Sequence, residues 1–210
     1  MTAMGVKSAC KGYRSGHRIF PSYTCLSVND EVVHGIGIKE KILQEGDIIS
    51  VDICIREDGF IGDNCRTIPV GNVSPEVERL LRVTEESLFK GIEQATHKNR
   101  VGDVSEAVQS CVEEAGFAVI TNFVGHGVGR SLHEDPQIPN FGRGGTGMKF
   151  RKGMAICIEP MVNMKSPQIK MAKDGWTALM QEIKEFTLQM TDGLSILLTV
   201  SLLHILNTQF

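Results

Sequence analysis

Four residues with metal-binding side chains stand at strand-like or glycine-rich positions. Asp52 interrupts the apolar run GDIISVDICI, and Asp63 lies in the segment that follows it. His126 lies within VGHGVGR, and Glu159 ends the apolar run AICIE. Because a lone carboxylate in an apolar strand is costly to bury, each of these acids needs a charged or metallic partner.

The turn signal Asp58-Gly59 predicts a hairpin that brings Asp52 and Asp63 together across neighbouring strands. Two carboxylates at close range repel each other, so the pair argues for a bound cation. With His126 and Glu159 they form a mixed oxygen and nitrogen ligand set, which suits manganese, iron, cobalt or zinc. Taken singly, a buried Asp is more often a turn or cap residue, and a His beside glycines is more often structural. The joint pattern favours the metal site.

The cysteines give no comparable signal. The sequence holds six, none in a C-x-x-C spacing, which argues against a structural zinc site. Cys54 and Cys157 lie within predicted strands and are interpreted as small buried hydrophobes. A Cys nucleophile paired with His126 or His133 is conceivable, but no local pattern supports it. The glycines around His126 lack the G-x-x-x-x-G-K pattern of a phosphate loop.

The strands and helices that must position these residues are predicted from turn- and cap-forming residues and from the spacing of apolar residues. Strands are predicted at 24–28, 31–37, 46–55, 60–70, 117–123 and 154–159, and 125–147 is predicted to be a loop. Ser74 and Pro75 start a helix that runs through 95, and a second helix covers 104–115 before Gly116. The fold class is therefore α+β. The apolar run 194–206 is shorter than the roughly 20 residues that span a bilayer, so it is predicted to be a buried strand or helix.

Composition excludes several classes. The chain has 210 residues, of which 41% are hydrophobic and 22% charged, with a net charge of -3. These values exclude a disordered chain, a collagen and a coiled coil. They also show no excess of positive charge of the kind that binds nucleic acid. The N-terminus lacks the layout of a secretory signal, and the cysteines fit a reducing compartment. We therefore expect a soluble cytoplasmic protein with no membrane or nucleic-acid partner.

The chain resembles the type I methionine aminopeptidases, metal-dependent enzymes of the pita-bread fold. The resemblance is near-continuous from about residue 8 to 180, and related prolidases share the metal ligands. It is carried by SVNDEVVHGI at 27–36, GDIISVDICIREDGFIGD at 46–63, GHGVGRSLHEDP at 125–136, KGMAICIEPMVN at 152–163 and KDGWT at 173–177.

The resemblance implies a role for each matching residue. Asp52, Asp63, His126 and Glu159 would bind two divalent ions (cobalt, manganese, iron or zinc), with Asp63 bridging them and Glu159 near the reactive water. His133 would contact the scissile amide, and His34 would lie beside the first substrate residue. A pocket for the methionine side chain would be built by Cys10, Tyr13, Cys25 and Trp176, with Leu132 where an aromatic residue is common.

The implied reaction is removal of the initiator methionine from nascent proteins and peptides by a water molecule that two metal ions activate. The N-terminal methionine of nascent polypeptides is then the substrate, the ribosome is a candidate partner, and a monomer is expected. Two alternatives stay open. One is an inactive pita-bread module or truncated copy that binds a peptide or protein partner, and the other is a different metallopeptidase such as a prolidase.

The C-terminal segment departs from the family pattern. The family has a fifth ligand, a Glu in a motif like S-A-x-F-E-H-T, but the corresponding position here is Met190, which cannot bind metal in that way. Glu185 would take its place only with a five-residue deletion, and the residues that flank it do not match the motif. The stretch 202–210 has an encoding that reads Ser-Ala-His-Phe-Glu-His-Thr-Val in another frame. We therefore interpret 1–181 as a catalytic domain without its N-terminal helices and 182–210 as a divergent, out-of-frame tail. The sheet is then expected to be incomplete at its C-terminal strands.

Overall fold

The computed structural model describes residues 1–181, 195–197 and 199–202. This part contains a short 3-10 helix at Thr2–Met4 and two α-helices, α1 (Pro75–Gln94) and α2 (Val101–Glu114). Its strands are, in chain order, β1 (Lys7–Ser8), β2 (Arg14–Ser15), β3 (Arg18–Ile19), β4 (Cys25–Val28), β5 (Glu31–Val33), β6 (Ile48–Glu57), β7 (Phe60–Pro69), β8 (Ala118–Val119), β9 (Gly125–Gly127), β10 (Glu134–Ile138), β11 (Ile156–Ile158), β12 (Met161–Asn163), β13 (Ile169–Met171), β14 (Ala178–Met180), β15 (Ser195–Leu197) and β16 (Thr199–Leu202).

The largest sheet has the strand order β1-β6-β7-β16-β11-β9-β10, and β4 also pairs with β6. Smaller sheets are formed by β15-β12-β8, by β13-β14-β5 and by β2-β3. The pairs in these sheets are antiparallel, as in an α+β architecture. The predicted hairpin is confirmed, because β6 and β7 pair along their whole length from Ile48 opposite Pro69 to Glu57 opposite Phe60.

The two helices form the main core with one side of the large sheet. Ser74 caps α1 by accepting a hydrogen bond from the Val77 backbone N–H, and Pro75 occupies the first turn, as predicted. The second helix begins at Val101, earlier than predicted, because the Asp103 side chain accepts from the Arg100 backbone N–H. The buried faces of both helices pack in one cluster with strand residues of β10, β11 and β12.

Strand β11 separates this core from the opposite side of the sheet. Ile156 and Ile158 belong to the cluster under the helices, whereas Cys157 between them packs in a different cluster with Ile61 and Val128. Side chains alternate along a strand, so Glu159 continues the Cys157 side. The helices therefore anchor the strand that presents Glu159.

The prediction of a loop over 125–147 is wrong at β9 and β10. The glycines that suggested a loop serve close strand packing instead, since a Cβ on Gly125 would collide with the Cys157 carbonyl oxygen. A Cβ on Gly127 would collide with the Asp135 carbonyl oxygen. The second predicted strand also ends early, at Val33, because His34 adopts a left-handed backbone with φ of 59°.

The expectation of a sheet that lacks its C-terminal strands is also wrong. Strand β16 lies between β7 and β11, with Val200 opposite Asn64 on one side and Ser201 opposite Cys157 on the other. Strand β15 pairs with β12. The sequences TVSL and SIL favour extended backbone, and the open edges of β7 and β11 supply hydrogen-bonding partners. The out-of-frame origin of 182–210 stays a hypothesis.

Neither α1 nor α2, the α-helices of the described part, has an apolar stretch that could cross a bilayer.

Replacing Leu80 with Ala tests the helix-sheet core. The Leu80 side chain is completely buried in α1, so we expect its truncation to lower the free energy of unfolding by about 2–5 kcal/mol. Leu81→Ala is the matched control, because Leu81 is only partly buried and should lose less. The measurement is urea denaturation followed by circular dichroism. Equal losses in the two variants would contradict the packing described above.

Candidate metal centre

The β6–β7 ladder places two aspartates on one face. Cys54 lies directly opposite Asp63, and Asp52, two residues from Cys54 along β6, lies opposite Cys65. Because side chains alternate along strands, all four point to the same side. Asp63 is buried and Asp52 is partly buried, whereas Ile53 on the other face of β6 is 40% exposed. The predicted approach of the two carboxylates is confirmed.

His126 and Glu159 complete the cluster from the neighbouring strands. His126 Nε2 lies 3.2 Å from Glu159 Oε1 and 3.8 Å from Asp63 Oδ2. The other ring nitrogen, Nδ1, is 2.8 Å from the Gly127 carbonyl oxygen and donates to it. Such a contact fixes the tautomer and leaves Nε2 with a lone pair, which is the usual arrangement of a metal-ligating histidine.

Two ligand groups share Asp63. The first consists of Asp63, His126, Glu159 and Cys157, and the second consists of Asp52, Asp63 and Cys54. Within each group, one ligand atom from every residue lies within 4.8 Å of the others. Asp63 is the residue that the two groups have in common.

The electrostatics of this cluster favour a bound cation. Burial and the charge of Asp63 raise the pKa of Asp52 well above its usual range. Burial and the charge of Glu159 raise the pKa of Asp63 to about 7. Burial lowers the pKa of His126, but its hydrogen bond to Glu159 and the charge of that residue outweigh burial, and the pKa is raised. Among the described residues, no lysine or arginine forms an ion pair with these carboxylates.

A cavity of about 400 Å³ opens over the cluster. All eleven site residues named from the sequence line it: Cys10, Tyr13, Cys25, His34, Asp52, Asp63, His126, Leu132, His133, Glu159 and Trp176. The tertiary structure therefore brings together residues that are as far apart along the chain as Cys10 and Trp176.

Two further histidines lie beside the cluster in this cavity. The His133 ring packs edge-on against the His126 ring at 4.5 Å, and its Nδ1 is 2.9 Å from the Tyr13 hydroxyl. The pKa of His133 is lowered by burial and by the nearby His126. Burial also lowers the pKa of His34, whose ring meets Phe123 edge-on at 5.4 Å. Both imidazoles are therefore held as neutral hydrogen-bonding groups.

Much of the remaining cavity wall is apolar and aromatic, although Ser15 and Arg18 also line it. Cys10, Cys25 and Cys54 are buried in one cluster with Phe20, and Trp176 packs against it. The Trp176 ring lies edge-on to Phe20 at 5.3 Å and to Tyr13 at 6.5 Å. Sequence reasoning missed Phe20 and Phe123 as cavity residues. Phe20 lies in an irregular segment without periodicity, and Phe123 lies at the end of the predicted strand 117–123, of which the structure forms only Ala118–Val119. The arrangement combines a metal-ligand cluster, neutral imidazoles and an apolar pocket, a set of groups that suits metal-assisted hydrolysis.

Comparisons with known proteins agree with this geometry. The model of metallopeptidase family M24 matches residues 3–194. A methionine aminopeptidase of Clostridium perfringens is 52% identical over 161 residues, covering 76% of this chain and 64% of that protein. Methionine aminopeptidase 1 of Bacillus subtilis is 45% identical over 175 residues, covering 83% of this chain and 68% of that protein.

Solved structures show the same likeness. The methionine aminopeptidase of Thermotoga maritima superposes with a TM-score of 0.84 at 44% identity, covering 94% of this chain and 74% of that chain. The prolidase of Pyrococcus furiosus has a TM-score of 0.59 at 23% identity, covers 66% of this chain and 41% of that chain, and shows the fold alone. The chain spans about two thirds of the length of the curated relatives described above.

The raised pKa values predict how the metal-free chain responds to pH. A carboxyl whose folded pKa exceeds its unfolded value binds more protons in the folded state, so stability falls as pH rises between the two values. For Asp63 this window runs from about 4 in the unfolded chain to about 7 in the folded one. We expect the metal-free chain to melt at a lower temperature at pH 8 than at pH 5.

Asp63→Asn removes this buried negative charge. The variant should be more stable than the wild type at pH 8 without metal, on the order of a few kcal/mol, and the two should converge near pH 4. Thermal melts in chelator across this pH range measure the effect, and Asp58→Asn, in the exposed turn, is the control. A wild-type chain that gains stability from pH 5 to pH 8 would contradict the assignment.

Proposed function

The chain belongs to metallopeptidase family M24, and from that premise we propose that it is a methionine aminopeptidase, which removes the N-terminal methionine from proteins and peptides. One observation carries the proposal: a metal-ligand cluster and an apolar pocket for a side chain share one cavity. The curated relatives named methionine aminopeptidase support the assignment to this branch of the family.

The donor set fits two divalent ions. Asp52, Asp63, His126 and Glu159 would hold them, with Asp63 between the two sites. Carboxylate oxygen and imidazole nitrogen suit manganese, iron, cobalt and zinc. When bound, such ions activate a water molecule and polarise the scissile carbonyl. The buried position of Asp63 and the clustered negative charge supply the electrostatic attraction for the cations.

In this proposal His133 would stabilise negative charge on the substrate carbonyl oxygen. We assign the donor role in its contact with Tyr13 to the phenol, so that Nδ1 accepts and Nε2 carries the ring proton. A neutral imidazole with a protonated Nε2 is a hydrogen-bond donor to a developing oxyanion. Glu159, which is in the ligand group and lines the cavity, would accept the proton of the attacking water. His34, which also lines the cavity, would lie beside the first residue of the peptide.

The apolar side of the cavity suits a methionine side chain. Tyr13, Phe20 and Trp176 present aromatic rings around the thiols of Cys10 and Cys25. A thioether gains favourable contacts with ring edges and adapts to an irregular wall. Leu132 packs on the same cluster and makes the pocket wider than an aromatic residue would.

A second candidate function is an inactive module that binds a peptide or protein partner. The observation in its favour is the sequence of β16, TVSL, which brings no carboxylate to the sheet beside β7 and β11. Glu185 and Met190, the two candidate positions for the fifth ligand, lie outside the described residues. Both functions use the same pocket, and only catalysis requires the metal.

The wider biological context belongs to the same proposal. Nascent polypeptides are the proposed substrates, the ribosome is the candidate docking partner, and the proposed form is a cytoplasmic monomer. These statements follow from the family resemblance.

The first test is release of free methionine from a Met-Ala-Ser peptide by the purified chain with cobalt or manganese. We expect release that a chelator stops and that Asp63→Asn abolishes, because Asp63 serves both metal sites. Asp58→Asn is the control and should behave as the wild type. A folded chain that binds metal and peptide without releasing methionine would favour the inactive module.

A second test separates the roles of His133 and Tyr13. Loss of one oxyanion donor costs roughly 10²–10³ in kcat, so we expect His133→Ala to lose activity on that scale with little change in KM. Tyr13→Phe keeps the ring but frees Nδ1, and it should lose less. Steady-state kinetics on Met-Ala-Ser measure both. An unchanged kcat in His133→Ala would overturn the role assigned to His133.

A further inference from the structure

A cysteine stands two residues from each strand carboxylate of the cluster. The sequence reads Asp52-Ile-Cys54, Asp63-Asn-Cys65 and Cys157-Ile-Glu159. Since side chains alternate along a strand, this spacing puts each thiol on the same face as its carboxylate. The sequence interpretation of Cys54 and Cys157 as small buried hydrophobes does not account for that repeated spacing.

Two of these thiols lie among the metal-ligand atoms themselves. Cys54 Sγ is 3.5 Å from Asp52 Oδ1, and it belongs to the ligand group of Asp52 and Asp63. Cys157 belongs to the other group, with Asp63, His126 and Glu159. Each half of the proposed two-metal centre therefore contains one sulfur atom within 4.8 Å of its oxygen and nitrogen ligands.

The third thiol serves as an internal comparison. Cys65 has the same spacing from Asp63, but it packs in a separate cluster with Val32, Val33 and Ile120. It is in neither ligand group. Spacing alone therefore does not bring a thiol to the metal centre, and the tertiary structure selects Cys54 and Cys157.

We propose that Cys54 and Cys157 supply sulfur ligands to the two metal sites, so that this chain prefers thiolate-tolerant ions such as zinc, cobalt and cadmium to manganese. Each thiol forms a metal–sulfur bond and gives its proton to solvent. Thiolate selects softer ions, whereas carboxylate and water suit manganese and magnesium. The inference rests on the proposed metal centre and deepens it.

The sequence of the neighbouring strand β16 supports a ligand role for the Cys157 thiol. Strand β16 sits directly beside Cys157, with Ser201 opposite it, and its sequence TVSL offers no acidic side chain. A metal shell held by Asp52, Asp63, His126 and Glu159 alone has few anionic ligands for two dications. Thiolates from Cys54 and Cys157 add one anionic ligand to each site.

Cobalt(II) spectroscopy of the full chain, kept reduced, tests the proposal. We expect a sulfur-to-cobalt charge-transfer band in the near ultraviolet that weakens in Cys54→Ser, weakens in Cys157→Ser and disappears in the double variant. Cys65 has the same spacing from a carboxylate but lies in neither ligand group, so Cys65→Ser should retain the full band. Circular dichroism confirms that each variant is folded.

The outcomes separate this inference from the proposed function. Cobalt d–d bands without a charge-transfer band in the wild type would leave the metal centre standing and overturn the sulfur ligands. A folded chain that binds no cobalt would overturn both. A full band in the double variant would also overturn the assignment to Cys54 and Cys157.

Metal preference provides a second readout that does not depend on activity. Even the loss of an outer-shell partner costs roughly 10- to 100-fold in metal affinity, so Cys54→Ser should weaken cadmium binding at least tenfold. Manganese binding, followed by electron paramagnetic resonance, should change much less. Equal losses for the two ions would contradict a sulfur ligand, because loss of sulfur must affect the softer ion more.

Discussion

The repulsion between Asp52 and Asp63 is the constraint on which the rest of this structure depends. The β6–β7 register fixes both carboxylates on one face, and burial raises the pKa of each. In the described part of the chain no lysine or arginine forms an ion pair with them. A fold that holds such a pair is strained electrostatically without a cation, and the same feature attracts divalent metal.

The scaffold keeps this costly arrangement in place by dividing its strands into two sides. Along β11, Ile156 and Ile158 anchor the strand under α1 and α2, whereas Cys157 packs on the opposite side with Ile61 and Val128, and Glu159 lines the cavity. Close contacts at Gly125 and Gly127 then bring His126 to the same cluster. The hydrophobic core therefore supplies the rigidity that the charged side of the sheet cannot supply for itself.

The same cavity unites two kinds of chemistry. The metal-ligand cluster that lines the cavity suits metal-assisted hydrolysis, and the aromatic side chains around Trp176 suit a flexible apolar side chain. The Cys54 thiol lies between these regions, because it contacts Asp52 and also packs in the apolar cluster with Cys10 and Cys25. Cys54 therefore links the pocket to the metal ligands, which explains why hydrophobic packing and ligation are both consistent with its burial.

The sequence by itself indicated the candidate ligand residues, the hairpin and the first helix. Asp52 and Glu159 stand out because carboxylates are rare in apolar runs, and Ser74-Pro75 marks a helix start by local hydrogen bonding. These features depend on neighbours close along the chain, so local patterns reveal them.

Only the tertiary structure decided the features that depend on distant contacts. The glycines around His126 predicted a loop, but close approach of β9 to other strands makes them part of a sheet. The C-terminal segment was expected to leave a gap, but β16 fills it because β7 and β11 present unpaired edges. The difference between Cys65 and Cys54 has the same cause, since equal spacing along a strand does not specify which cluster a side chain joins.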